Sequence, residues 1–403
     1  MWNLNYLKVI DHGRLLSQGL CRNCIGRWIS TCLRQSHVRH RRDVFLLNRR
    51  NSFVSQTQPA SKPPWRILFF GSDDFAVESL KLLHAYRDDT KAGVIDSLEV
   101  VTLSSDAPVR KYAEQHKLPL HQWPDVDFST QFDVGVVVSF GCLIKENIIN
   151  KMPYGILNVH PSLLPRWRGP APIFHTVLHG DRVTGVTIMQ IRPKRFDVGP
   201  ILQQELYEVP KNCTAEELGA TLAFVGAKML MDTLRHLPER IANRKEQPKE
   251  GATFAPKISS RMAWITWEEH SCDHIDRLCR AIGSRIPLKT IWMGNPIKLL
   301  DFVGKCSVPF PVASHLSAVP GSVCYQKESN TLLVRCKDGW VGFKTVKFKK
   351  RLSAADFFNG YLHQSVLKKS PSPNTCLFHS YKERCQSPGG LNSNMPLQKK
   401  TSL

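Results

Sequence analysis

The sequence predicts an α/β fold: a Rossmann-like domain with a mostly parallel sheet, followed by a small OB-like β-barrel. Three observations predict it. Between residues 65 and 160, apolar runs alternate with amphipathic segments, as in the strand–helix–strand units of a doubly wound sheet. Two further apolar runs flank Asp197 as an antiparallel hairpin, and beyond residue 255 short strands are separated by turn residues, the pattern of a small barrel. The chain of 403 residues, 42% of them hydrophobic, is long enough to bury more than one core.

Taken in order, Trp65-Arg66-Ile67-Leu68-Phe69-Phe70-Gly71 reads as a buried strand ending on a glycine turn, with a helix following through Phe75, Val77, Leu80 and Leu83. Leu98 to Leu103 gives a second strand, Val109 to His116 a short helix, and Phe132 to Phe140 a third strand. Leu143 to Asn150 then reads as helical, and Gly155 to His160 as the next strand. The Gly71 turn lacks the further glycines and the downstream acidic residue of a dinucleotide site, which argues against NAD or ATP. Pro172 to His179 forms a helix, Gly185 to Gln190 and Ile201 to Val209 form the hairpin, and Thr214-Ala215-Glu216-Glu217 opens a long helix with a capping box. After Leu237 a Pro-punctuated linker is expected from Pro238. The strands of the second domain are Gly321 to Tyr325, Thr331 to Cys336 and Val341 to Phe348. The domain boundaries expected are 65–246 for the α/β domain, 247–254 for a linker and 255–363 for the barrel.

The net charge of +21 is unevenly spread. Residues 1–64 carry 11 Lys or Arg against Asp11 and Asp43, the composition of a cleaved mitochondrial transit peptide and of a disordered arm. Residues 65–251 are close to neutral, while 252–362 carry about +8 and the tail from 363 about +5. A basic, disordered tail is expected over 364–403. The basic run Lys344, Lys347, Lys349, Lys350 and Arg351, placed on the last barrel strand, suits a phosphate backbone. No apolar run approaches a membrane span, so no membrane insertion is expected. The 12 Cys lack a metal-ligand spacing, so no metal is expected, and free thiols suit a reducing matrix.

The chemistry points to one strand end. Asn158 and His160 are two apart, so both side chains leave the same face of the strand Gly155 to His160, just before a Pro-rich loop. Leu157 and Val159 stay apolar on the other face. An amide beside an imidazole at the edge where open α/β sheets bind ligands can hold an oxyanion and move a proton. Arg166 and Arg168 flank Trp167, two cations with an indole between, suited to phosphate contact and base stacking at a single-stranded end.

The run Asn158-x-His160-x-Ser162-Leu163-Leu164-Pro165-Arg166-Trp167-Arg168-Gly169-x-Ala171-Pro172 resembles the hallmark of the methionyl-tRNA formyltransferases. Gly185-Val186-Thr187-Ile188-Met189-Gln190 leading to Asp197-x-Gly199 resembles their second block, and Ala255-Pro256-Lys257-Ile258 the opening of their tRNA-binding barrel. The likeness runs from about Trp65 to about His363, and with the basic leader it points to the mitochondrial branch. It implies transfer of the formyl group of 10-formyltetrahydrofolate to the α-amino group of initiator methionyl-tRNA in the mitochondrial matrix, by a monomer. It implies Asn158, His160 and Asp197 as catalytic residues: an amide and an imidazole N–H on the oxyanion, and Asp197 orienting His160 and accepting the amine's proton. It puts the backbone of Ser162, Leu163, Leu164 and Pro165, with Phe140, Gly141 and Ile144, against the folate. The basic approach to Asp197, where the chain departs from the family's pattern, puts Lys194 and Arg195 among the expected tRNA contacts. The Asn, His and Asp set is shared with other formyltetrahydrofolate-using enzymes, so the alternatives are a formyltransferase on another small amine and a catalytically silent RNA-binding relative. Three departures stand out. The Arg- and Gly-rich loop that bacterial members carry after the second strand is reduced to Ser104-Ser105-Asp106-Ala107-Pro108. The approach to Asp197 is the basic Ile191-Arg192-Pro193-Lys194-Arg195-Phe196. Gly71-Ser72-Asp73-Asp74 stands where Gly-Thr-Pro is commoner.

Overall fold

The computed structural model describes residues 61–89, 91–307, 318–363 and 376–381. The expected transit peptide therefore lies outside the described residues except for 61–64, as does most of the tail.

The first domain is one seven-stranded sheet: β1 (Trp65–Gly71), β2 (Ile95–Thr102), β3 (Leu120–Gln122), β4 (Val134–Val138), β5 (Ile156–His160), β6 (Val183–Gln190) and β7 (Ile201–Glu208). They lie in the order β3-β2-β1-β4-β5-β6-β7. β1 pairs in parallel with β2 and β4, and β4 with β5, while β6 and β7 are antiparallel additions. Every apolar side chain of β1 is fully buried, as a strand covered on both faces requires, and only Arg66 is part-exposed. Helices α1 (Asp74–Asp88), α2 (Pro108–Gln115), α4 (Pro172–His179) and α5 (Ala215–Arg235) cover the sheet, with a short α3 (Glu146–Ile149) at its edge. The expected capping box holds: Thr214 accepts from the Glu217 N–H, and Glu217 accepts in return from the Thr214 N–H at 2.8 Å. The Trp65 indole anchors the far end of α5 by donating to the Leu234 carbonyl at 2.7 Å.

Three elements differ from the sequence reading. β3, only three residues long, carries too little apolar pattern to be read. The helix expected over 143–150 shrinks to α3, because the chain after β4 turns through Ser139 at φ 46° and Gly141 at φ 83° and stays a loop until Lys145. The linker expected from Pro238 is instead α6 (Leu237–Ala242), with its proline in the first turn, where no backbone N–H is needed.

The second domain starts with α7 (Cys272–Ile282) and continues with β8 (Leu288–Trp292), β9 (Asn295–Cys306), β10 (Val323–Gln326), β11 (Thr331–Arg335), β12 (Trp340–Lys347), β13 (Arg351–Ser353), α8 (Ala354–Phe357) and β14 (Phe378–His379). The strands run β10-β11-β12-β9-β8-β14, with β13 on β12. A bridge between Ser322 and Leu377 joins the two ends of that order, so the sheet closes on itself. That closure corrects the expectation of disorder from 364 onward. Residues 376–381 return to the barrel, Phe378 is 1% exposed between Trp267 and Phe357, and the Trp267 N–H donates to the Ser380 hydroxyl at 2.9 Å. The cause is hydrophobic: the Cys376-Leu377-Phe378 cluster fills the seam, and burying a Phe is worth about 1.5–3 kcal/mol. The basic run is also not a single strand. Lys344 and Lys347 lie on β12, Lys349 and Lys350 in the turn after it, and Arg351 on β13.

The two domains pack through α4 and α7. Arg277 donates to the Leu178 carbonyl at 3.1 Å, at the end of α4, and Arg280 to the Cys213 carbonyl at 2.8 Å. Among the described residues no helix is long and apolar enough to cross a membrane.

Candidate active site

The strand order reverses between β1 and β4, and ligand clefts in such sheets open at the carboxyl ends of the strands beside that point. A cleft of about 540 Å³ opens there. Asp73 after β1, Ser139 to Ile144 after β4, and Asn158 and His160 at the end of β5 all line it.

Asn158, His160 and Asp197 converge in this cleft. The Asn158 amide donates to Asp197 Oδ1 at 3.2 Å, and His160 Nδ1 lies 3.8 Å from the same oxygen. Asp197 Oδ2 accepts from the Gly169 N–H at 2.8 Å. Asp197 holds φ 51°, a left-handed conformation that Asp tolerates better than most residues. The Asp-x-Gly spacing has a steric cause as well. A Cβ on Gly199 would lie 1.7 Å from the Gln190 carbonyl oxygen, so only glycine lets β7 close onto β6 behind the Asp197 turn.

His160 differs from the expected arrangement in one respect. Its Nε2 lies 3.0 Å from the Trp167 carbonyl, which can only accept, so Nε2 carries the proton. The neutral ring then presents a lone pair at Nδ1, toward Asp197. An N–H on that side exists only in the imidazolium, so oxyanion donation by His160 requires the charged ring, with Asp197 as its counter-charge.

The loop after β5 shows a division of labour. Asp181 accepts from Arg166 twice, at 2.8 and 2.6 Å, and from the Trp167 indole at 2.7 Å. The indole is 6% exposed, between His175 and His179, and the Arg166 guanidinium lies 4.4 Å over it. Arg168 donates to Gln247 Oε1 at 3.0 and 2.6 Å, and the Gln247 amide donates onward to the carbonyls of Asp197 and Gly199. This corrects the reading of two cations around a free indole. Trp167 at φ 61° turns its ring into the protein, where no base reaches it, and the Arg side chains brace the loop. Residues 247–254, expected as a linker, and Ala255 after them are part of that brace: the Trp167 N–H donates to the Thr253 hydroxyl at 2.9 Å and the Ala255 N–H to the Arg168 carbonyl at 2.7 Å.

Of the residues expected at the folate, Phe140, Gly141 and Ile144 line the cleft, whereas Ser162, Leu163, Leu164 and Pro165 do not. Ser162 is fully buried and its carbonyl accepts from Thr187 on β6 at 2.6 Å, while the Leu164 N–H donates to the same hydroxyl at 3.2 Å. That segment fastens the loop to the sheet. Cysteine 142 and the side chains of Leu143, Ile191 and Phe196 complete the apolar lining, and Phe196 is 60% exposed.

The remaining cations fall into two groups. Lys194 and Arg195 are exposed on the β6–β7 turn, Arg195 lines the cleft, and Lys194 lies 3.6 Å from Glu146. In the barrel, Lys344 is half-buried and donates to the Ser329 carbonyl, which takes it out of the expected surface row. Lys347 stands directly opposite both Lys298 and Arg351, and Lys298 opposite Lys289. Directly opposed residues share a face, so four cations form one line across β8, β9, β12 and β13. Sequence order hides this line, because Lys289 and Lys298 lie far from the Lys347 run. Asp181 and Gln247 also carry no local signal, since each acts through partners distant in sequence.

The family model described as Formyl transferase matches residues 125–234, and that of the Formyl transferase, C-terminal domain, matches residues 257–362. The chain is 57% identical to the mitochondrial methionyl-tRNA formyltransferase of Homo sapiens over 326 residues, 79% of this chain and 84% of that protein. It is 50% identical to the Rattus norvegicus protein of the same name over 368 residues, 90% of this chain and 94% of that one. Among solved structures, an N-formyltransferase of Helicobacter canadensis superposes with a TM-score of 0.51 at 15% identity, over 69% of this chain and 98% of that one, a likeness of fold.

Proposed function

We infer the reaction from one premise: the chain belongs to the methionyl-tRNA formyltransferase family. It transfers the formyl group of 10-formyltetrahydrofolate to the α-amino group of methionyl-tRNA, giving N-formylmethionyl-tRNA for translation initiation in the mitochondrial matrix. The observation that carries this reading is the convergence of Asn158, His160 and Asp197 around one point of a cleft large enough for a flat heterocycle.

In this reading the pterin and its linker lie along the apolar wall of Phe140, Leu143 and Ile144. The neutral amine attacks the formyl carbon. Its new C–N bond forms as the carbonyl π bond opens onto oxygen, and the Asn158 amide and the His160 imidazolium hold the oxyanion. Asp197 accepts the proton that the amine sheds, directly or through a water. That proton ends on N10 of the folate as the C–N10 bond breaks, so charge and protons balance. Asp197 is thus the counter-charge of the imidazolium until it takes that proton, and the Asn158 amide and the Gly169 N–H fix the orientation of its carboxylate.

The line Lys289, Lys298, Lys347 and Arg351 supports a tRNA acceptor over a small amine. Arg351 is paired with Asp301 at 2.8 Å, but the three lysines stand directly opposite one another, which destabilises a sheet, and a phosphate backbone along them removes that cost. Labelled formyl donor supplied with methionyl-tRNA, free methionine and glycinamide ribonucleotide tests the reading. Label is expected in methionyl-tRNA alone; label in either small amine, or in none, contradicts it.

A further inference from the structure

The cleft is not built by the first domain alone. Lys257, from the segment entering the second domain, and Arg285, from the turn that closes α7, line it together with Asn158, His160 and Asp197. Arg285 is exposed at that rim, and its guanidinium lies 4.7 Å over the ring of Phe174 on α4. A cation over a ring face is held there by the ring's quadrupole, which keeps the Arg285 charge at the rim. The position is firmly set. The Arg285 N–H donates to the Ile282 carbonyl at 2.9 Å, the neighbouring Ser284 hydroxyl to Glu216 at 2.7 Å, and α7 is tied to α4 through Arg277.

We propose that Arg285, set over Phe174, and Lys257 on the same cleft hold the phosphate of the terminal nucleotide of the aminoacyl-tRNA and so position its amine in the cleft. This rests on the reading of the acceptor as methionyl-tRNA. The chemistry of that acceptor supplies the argument. The aminoacyl ester and the last phosphate belong to the same nucleoside, on opposite sides of one ribose, so a cleft that seats the amine must pass that phosphate close to its rim. Arg is the side chain best matched to a phosphate by shape and by permanent charge. The second domain thus supplies a cationic grip at the rim of the cleft that holds Asn158, His160 and Asp197. Arg285 acts as a positioning residue; it touches the acceptor away from the reacting atoms.

The test compares the wild type with Arg285→Ala and Arg285→Lys, using methionyl-tRNA and methionyl-adenosine, which has no phosphate. For Arg285→Ala, KM for methionyl-tRNA is expected to rise about tenfold, the loss of one charge-assisted contact, with KM for the folate donor unmoved. The advantage of methionyl-tRNA over methionyl-adenosine in kcat/KM falls by the same factor. The slope of log affinity against log salt falls by about 0.7, the share of one single-strand phosphate. Arg285→Lys keeps the slope and most of the affinity. An unchanged slope, or an equal loss on methionyl-adenosine, overturns the proposal, since a purely structural role would weaken both acceptors alike. A wild type that does not formylate methionyl-tRNA overturns the reading of function instead, and the two failures are distinguishable.

Discussion

An Asn158→Ala enzyme is expected to turn over about 10²–10³ times more slowly than the wild type, with KM for donor and acceptor little changed. The magnitude is that of one lost oxyanion donor in a site screened from bulk water. The split between kcat and KM follows from the same role, since an oxyanion exists only after the amine has attacked. Asn158 is half-buried at the end of β5, and its backbone pairing with Val137 and Met189 does not depend on the side chain. Thermal unfolding should therefore move little. Steady-state kinetics with each substrate varied in turn checks the split, and a rise in KM with kcat intact would assign Asn158 to ground-state binding.

The second large effect is expected at a residue that never meets substrate. Asp181 is the shared acceptor for Arg166 and the Trp167 indole, and its side chain is 12% exposed. Asp181→Ala leaves a half-buried guanidinium and a buried indole N–H without their partner. That is expected to cost about 2–3 kcal/mol of stability, read as a lower urea midpoint at constant slope. Turnover should fall too, because the Trp167 carbonyl that fixes His160 Nε2 belongs to the released loop. Asp181→Asn, which keeps an acceptor oxygen, should recover part of both losses. Equal midpoints for Asp181→Ala and the wild type would show that the loop is held elsewhere, with Arg168 and Gln247 the first place to look.

How much of this was legible in the sequence depended on whether the signal was local. Strands β1, β2, β4 and β5 announce themselves by apolar runs, and the α5 capping box by four adjacent residues. Asn158 and His160 are legible together because a strand's period of two is fixed by its geometry. Asp197 is legible only through the Asp-x-Gly motif and the family likeness, since what brings it to His160 is the register of β6 on β5. The tautomer of His160 was not legible, because it is set by a carbonyl seven residues on in a loop whose path depends on Thr253 and Asp181. The base-stacking reading of Trp167 fails for a related reason. Spacing of two implies a common face only on an extended strand, and Trp167 in the left-handed region breaks that alternation. The closing strand at Phe378 was masked by the basic and polar residues around it, and only the open seam between β8 and β10 explains why it returns.

The central claim is that the Asp197 carboxylate, shared between an amide and an imidazole, takes the proton that formyl transfer releases. Single-turnover formylation of methionyl-tRNA by Asp197→Asn tests it most directly, because the substitution keeps the shape and removes the charge. A transfer rate lower by about 10²–10⁴, with both substrates still bound, is the predicted result. A rate within about threefold of the wild type, at equal substrate saturation, would contradict the account.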